Sequence, residues 1–158
     1  IAETARSVPI VYAANFSAGV ALLLALVRRA AETLGPDYDI EIVEMHHRQK
    51  VDAPSGTAIA MGRAAASGRG ITLEDNMEPA RHGHTGKRGD GTIGFAALRG
   101  GQVVGEHTAI FAAATEHLTI GHRSFERRVY AEGAVRAAIW LAGRPPGLYG
   151  MEDVLGLR

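Results

Sequence analysis

Apolar positions along the chain fall into short runs separated by glycine, proline and charge. Val8 to Ala13 is one such run and reads as a buried strand. Ala18 to Leu34 is apolar nearly all round over its first turns, which predicts a buried helix; Asn15 or Ser17 can cap it, and Gly35-Pro36 ends it. Asp39 to His46 has strand composition, and a second helix starts near Ser55 and ends around Ser67-Gly68-Arg69-Gly70. From Ile71 to Asp90 no period is sustained, so this span reads as a long connection. Thr92–Arg99, Gln102–Ala113 and Glu116–Arg123 read as three further strands in an antiparallel meander, with Gly100-Gly101 suited to a tight hairpin turn. Ser124 can cap a last helix over Phe125–Ala142, which Gly143 and Pro145-Pro146 end. The tail from Gly147 onward carries Leu148, Tyr149, Met151, Val154 and Leu155, and calls for a surface to dock on.

These elements predict an α+β fold: a mixed sheet of about four strands with helices on one face. Ile93, Phe95, Ile110 and Phe111 cannot all point toward two helices, so the other sheet face needs a cover. A symmetric homo-oligomer is the preferred cover.

Composition narrows the classes. The 158 residues suffice for one compact domain with a real core. Lys plus Arg and Asp plus Glu are 17 each, which gives no global drive toward nucleic acid or membrane. The absence of cysteine removes disulfide frameworks and thiol nucleophiles and fits a reducing, cytoplasmic setting. The longest apolar run, Ala18 to Val27, is too short to span a bilayer, and no signal-peptide pattern is present. The chain opens on Ile1-Ala2-Glu3-Thr4-Ala5-Arg6, which reads as the end of a helix already under way; an N-terminal part is expected to precede it.

The chemistry concentrates in Glu44-Met45-His46-His47-Arg48-Gln49-Lys50-Val51-Asp52-Ala53-Pro54-Ser55-Gly56-Thr57-Ala58, on a strand-to-helix connection. Ser55 is placed to cap the helix, which leaves the N–H groups of Gly56 and Thr57 unpaired and outward. A helix tip with free donors beside His and Lys suits an anion that also needs a proton. For a small cyclic dicarboxylate undergoing reduction, His46 can give the proton, because imidazole titrates near neutral pH. Lys50 can hold a carboxylate, and Gly56 and Thr57 supply donors to another. His47 points to the opposite face if the strand runs on, or into the pocket if the chain has already turned.

The same stretch resembles the signature of the dihydrodipicolinate reductase family, also called 4-hydroxy-tetrahydrodipicolinate reductase. The resemblance continues in order through Ala13-Ala14-Asn15-Phe16-Ser17, Gly83-His84-Thr85-Gly86, Gly91-Thr92-Ile93-Gly94-Phe95, Gly105-Glu106-His107-Thr108 and the stretch Gly133 to Leu141. It implies an NADPH- or NADH-dependent reductase of lysine and diaminopimelate biosynthesis, usually a homotetramer through its sheet. It implies His46 as acid/base, Lys50 as second proton donor, and His47, Ser55, Gly56 and Thr57 as substrate contacts. It places Ala13, Ala14, Asn15 and Phe16 at the nicotinamide end of the cofactor, with Arg127 and Tyr130 facing it. It also implies that residues 1–15 and 126–158 are remnants of a Rossmann-type nucleotide domain, with 16–125 the substrate-binding and oligomerisation domain. The glycine-rich dinucleotide fingerprint is absent from this chain.

Two other readings stand beside it. His46, His47, His82 and His84 could hold a metal in a hydrolase, although no ligand spacing supports that and no metal is expected. A sheet module that only assembles is the third. Glu106-His107 reads as a polar edge or interface pair, and Trp140 as core.

Overall fold

Strand β2 (Asp39–His46) is the centre of a five-stranded sheet of order β3-β4-β2-β5-β6. A computed structural model describes residues 1–157. A 3-10 turn (Thr4–Arg6) and β1 (Pro9–Val11) lead to α1 (Ala18–Leu34), β2 and α2 (Gly56–Arg69). Then come a one-turn helix α3 (Leu73–Asn76), β3 (Met77–Glu78), β4 (Ile93–Arg99), β5 (Gly105–Ala112) and β6 (His117–Ser124). Helix α4 (Arg128–Leu141), β7 (Gly147–Tyr149) and α5 (Met151–Leu155) complete the chain. The fold is α+β, as expected, with one more strand in the main sheet than expected.

The strand order departs from the meander. β4 and β5 do not pair with each other; β2 lies between them, parallel to β4 and antiparallel to β5. The reason is the face that β2 presents. Ile40 and Ile42 align with Ile93 and Phe95 on one side and with Phe111 and Ala109 on the other, so one apolar layer crosses three strands. The Gly100-Gly101 stretch is not a hairpin turn. It carries the chain across the end of β2, with Gly100 N–H donating to the His46 carbonyl at 3.0 Å and Arg48 N–H to the Gly101 carbonyl at 3.2 Å.

Helices α1 and α2 cover that layer. Each is capped as its sequence dictates: the Ser17 hydroxyl accepts from Val20 N–H, and the Ser55 hydroxyl from Ala58 N–H. Gly70 ends α2 in the left-handed conformation. The helices approach closely at Gly68, where any side chain would strike the Arg28 carbonyl. Ile42, Met61, Ile93 and Phe111 are fully buried between sheet and helices, each contributing roughly 2 kcal/mol of burial.

Several expectations change. α1 is not buried all round, since Leu22 and Leu26 remain over 40% exposed on its outer side (44% and 46%). The expectation that Ile93, Phe95, Ile110 and Phe111 cannot all face the helices holds: Ile93, Phe95 and Phe111 do, because positions two apart on a strand share a face. Ile110 alone of the four lies on the open side, with Val43, Met45, Ala96 and Leu98. Ser124 ends β6 instead of capping α4, and its buried hydroxyl has no partner among the described residues. The connection after α2 is tied down by Arg88, which donates to the carboxylates of Asp39 and Glu41 and to the Ile40 carbonyl.

A second, smaller core joins the two ends of the described chain. β1 and β7 pair in parallel, Val11 beside Tyr149. Ala21, Ala137, Met151 and Val154 are buried there, with Phe16 and Trp140 packed against them. Gly133 lies so close to the Phe16 carbonyl that no Cβ fits. Trp140, read as core, meets Tyr149 edge-on and carries the Arg144 guanidinium 4.2 Å above its ring. This packing holds the start of α4 opposite the end of β2.

Candidate active site

Between the end of β2, the tip of α2 and the start of α4 lies a cavity of about 480 Å³, a volume typical of small-ligand sites. His46, Lys50, Ser55, Gly56 and Thr57 line this cavity. Ala13, Ala14, Asn15, Arg127 and Tyr130 also line it, as do Gly150, Met151 and Glu152.

Each group is placed by a local cause. His46 is the last residue of β2, on its buried face with Ile40, Ile42 and Glu44. Beyond it the chain turns, so His47 also enters the cavity wall, and Arg127 reaches its Nε2 at 3.4 Å. The Ser55 cap fixes the first turn of α2, and among the described residues nothing accepts from the N–H of Gly56 or Thr57. A side chain added at Gly56 would meet nothing within 4 Å, so the helix tip is open on the cavity side. Asn15 donates to the Thr57 hydroxyl at 3.3 Å and accepts from Ser17 N–H at 2.8 Å, which ties the loop before α1 to the tip of α2.

Behind His46 is a buried polar layer. Glu44 is 1% exposed and bonds to His46 Nδ1 at 2.6 Å, to Arg99 through both of its oxygens at 2.8 Å, and to Ser55 N–H at 3.1 Å. Burial alone would raise its carboxyl; the bonds from Arg99 and His46 outweigh that, and the group stays ionised below the usual carboxylate range. His107 packs edge-on against His46 and lies 3.1 Å from the Ser55 hydroxyl. Burial, then the neighbouring His46, pushes its ring down to about 4, so it is neutral at pH 7. On the cavity side, the Lys50 ammonium rests 2.9 Å from the Asp52 carboxylate. That bond holds the Asp52 carboxyl below its ordinary value.

The placements differ among the sequence candidates. Phe16 does not reach the cavity and packs in the second core. His82 and His84 are exposed on the loop before β4 and line no part of the cavity. Among the described residues no group of three or more potential ligands comes together, and the partners of His46 are a carboxylate, a second imidazole and the end of a strand. The four-histidine metal site is thereby withdrawn. Arg99 joins the site without a motif to mark it, and His107, expected in a polar edge or interface pair, is instead buried at 4% exposure against His46 and Ser55. His107 carried a usable signal, since it shares alternation with Ala109 and Phe111 and so belongs to the helix-facing side.

The arrangement combines a helix tip with unpaired N–H donors, an ion-paired ammonium and a carboxylate-backed imidazole around one cavity. That is the equipment of an acid–base enzyme domain for a small anionic ligand. A family model described as "Dihydrodipicolinate reductase, C-terminus" matches residues 19–155. The 4-hydroxy-tetrahydrodipicolinate reductase of Granulibacter bethesdensis is 62% identical over 100% of this chain and 61% of its own length. That of Acidiphilium cryptum is 59% identical over 99% of this chain and 64% of its own. Among solved structures, a dipicolinate-bound dihydrodipicolinate reductase from Paenisporosarcina sp. TG-14 superposes with a TM-score of 0.73 at 26% identity, over 96% of this chain and 57% of that one. The chain belongs to the dihydrodipicolinate reductase family and corresponds to its C-terminal part. It spans about three fifths of the length of those relatives.

Proposed function

We propose that this chain supplies the substrate site and proton donor of an NAD(P)H-dependent oxidoreductase that converts 4-hydroxy-tetrahydrodipicolinate (dihydrodipicolinate) to tetrahydrodipicolinate in lysine and diaminopimelate biosynthesis. The observation that carries it is the convergence of His46, Lys50 and the open Gly56-Thr57 tip on one cavity. The names of the relatives supply the reaction.

In this reading one ring carboxylate sits on the N–H groups of Gly56 and Thr57, with the Thr57 hydroxyl adding a bond. Lys50 leaves Asp52 and pairs with the other carboxylate, drawing electron density from the ring. His47 and Ser55 shape the wall beside them. A nicotinamide cofactor, when bound, would supply the hydride. His46 delivers a proton from Nε2 to the carbon next to the one reduced, and Glu44 stabilises the ring that gives it. Lys50 acts here through charge, since an ordinary ammonium is a weak acid at neutral pH.

Ala13, Ala14, Asn15, Arg127 and Tyr130 would hold the nicotinamide end. The fit rests on their lining the same cavity as His46, with small side chains at positions 13 and 14 leaving room for a flat ring. Residues 1–15 and 126–158 belong, in this reading, to the nucleotide-binding domain, and the β1–β7 pairing supports grouping them. The open sheet face closes a homotetramer in a cytoplasmic enzyme; among the described residues no helix is long and apolar enough to cross a membrane.

The test is turnover of the complete polypeptide carrying His46→Ala or Lys50→Ala. Both variants are expected to lose reductase activity; full turnover in both would overturn the proposal.

A further inference from the structure

We propose that Glu44 is a positioning residue that sets both the tautomer of His46 and the distance from His46 to the anion-binding tip of α2. The inference rests on the proton-donor reading of His46 and goes beyond it. One carboxylate touches both halves of the site: Oε2 meets His46 Nδ1 at 2.6 Å, and Oε1 accepts from Ser55 N–H at 3.1 Å. Residue 44 lies on rigid β2, and residue 55 is the cap of α2. The carboxylate is therefore a strut between the proton donor and the donors that hold the anion.

The strut is itself fixed. Arg99 contributes one guanidinium nitrogen to each oxygen, and that guanidinium also donates to the Asp52 carbonyl at 2.7 Å and the Leu98 carbonyl at 2.6 Å. Glu44 thus cannot swing away, and its charge is balanced.

An ionised carboxylate only accepts, so the proton of neutral His46 is held on Nδ1. Nε2 is then the nitrogen that picks up and delivers a proton. It lies over Gly105, where a Cβ would come within 3.1 Å, and has no partner among the described residues. His107, neutral and edge-on, adds no competing charge. When Nε2 gives up its proton, Glu44 retains the one on Nδ1, and the ring returns to the same starting form.

Glu44→Gln separates the two roles. Oε1 accepts from two donors that cannot invert, Ser55 N–H and one Arg99 nitrogen, whereas Oε2 accepts from only one such donor, the other Arg99 nitrogen, beside His46 Nδ1; the Gln carbonyl is therefore expected at Oε1, at the cost of the second Arg99 bond. Its amide then faces His46 Nδ1 and forces that nitrogen to accept. The helix tip keeps its bond while the tautomer inverts.

The experiment is nitrogen-15 NMR of histidine-labelled chain above the imidazole titration, where the two ring nitrogens are distinguished by shift. His46 is expected as the Nδ1–H tautomer in the wild type and as Nε2–H in Glu44→Gln. In the complete enzyme, Glu44→Gln is expected to lower kcat on the order of 100-fold and to change pyridine-2,6-dicarboxylate affinity less than about threefold. An Nε2–H wild type overturns the proposal even if the variant does not fold; so does one tautomer in both proteins. Absence of dicarboxylate binding with the expected tautomers would instead count against the substrate reading alone.

Discussion

His46 and His107 meet edge to face, their ring centroids 5.0 Å apart and their planes 73° apart. They sit on neighbouring strands, β2 and β5, and have opposite roles. His46 opens onto the cavity, while His107 is sealed behind it at 4% exposure. Burial holds His107 neutral at pH 7, so it adds no charge beside His46.

That burial has a consequence for stability. The unfolded chain protonates the ring at position 107 from about pH 6.5, whereas the folded chain resists until about pH 4. Stability from this group is fully present above 6.5 and is lost as pH falls through that window, on the order of 3 kcal/mol in total. His122, lowered by burial, acts in the same direction. Urea unfolding at pH 7 and pH 4.5 is expected to show this loss, and His107→Gln, which can keep a bond to Ser55, is expected to reduce it by more than half.

The open helix tip predicts a separation of binding from stability. Gly56→Val places a side chain in the space at the cavity edge without striking protein atoms within 4 Å of its Cβ. Calorimetry is expected to show at least a tenfold loss of pyridine-2,6-dicarboxylate affinity, about 1.4 kcal/mol, with a thermal midpoint within a few degrees of the wild type.

Lys50 and Asp52 form an ion pair that a bound carboxylate must replace. Lys50→Met is expected to weaken dicarboxylate binding by tenfold or more, and Asp52→Asn to strengthen it by about twofold to fivefold. Equal affinities in the two variants would show that Lys50 does not reach the ligand.

The open sheet face predicts assembly. Leu98 is 51% exposed beside Met45, and a face of this kind calls for cover. Sedimentation of the chain is expected to show an oligomer, and Leu98→Glu a smaller species with an unchanged circular dichroism spectrum.

Local signals account for what was legible in the sequence. α1, β2 and α2 are bounded by Ser17, Gly35, Ser55 and Gly70, each acting on its immediate neighbours. His46, Lys50, Gly56 and Thr57 fall within one short segment, so their grouping needed no knowledge of the fold. The rest depends on distant pairings. Insertion of β2 between β4 and β5 leaves no local trace, and two adjacent strands joined at Gly100-Gly101 suggest a hairpin. Arg99 and His107 reach the site only through that insertion, from either side of β2. Ser124 has a capping side chain, but the β6 ladder extends far enough to claim it.

The most direct measurement of the central claim is the pair of constants for His46→Ala in the complete polypeptide: kcat for reduction and Kd for pyridine-2,6-dicarboxylate. The account predicts kcat reduced at least about 100-fold, with Kd within about threefold of the wild type, because the helix tip and Lys50 hold the anion without the imidazole. Wild-type kcat in this variant would contradict it.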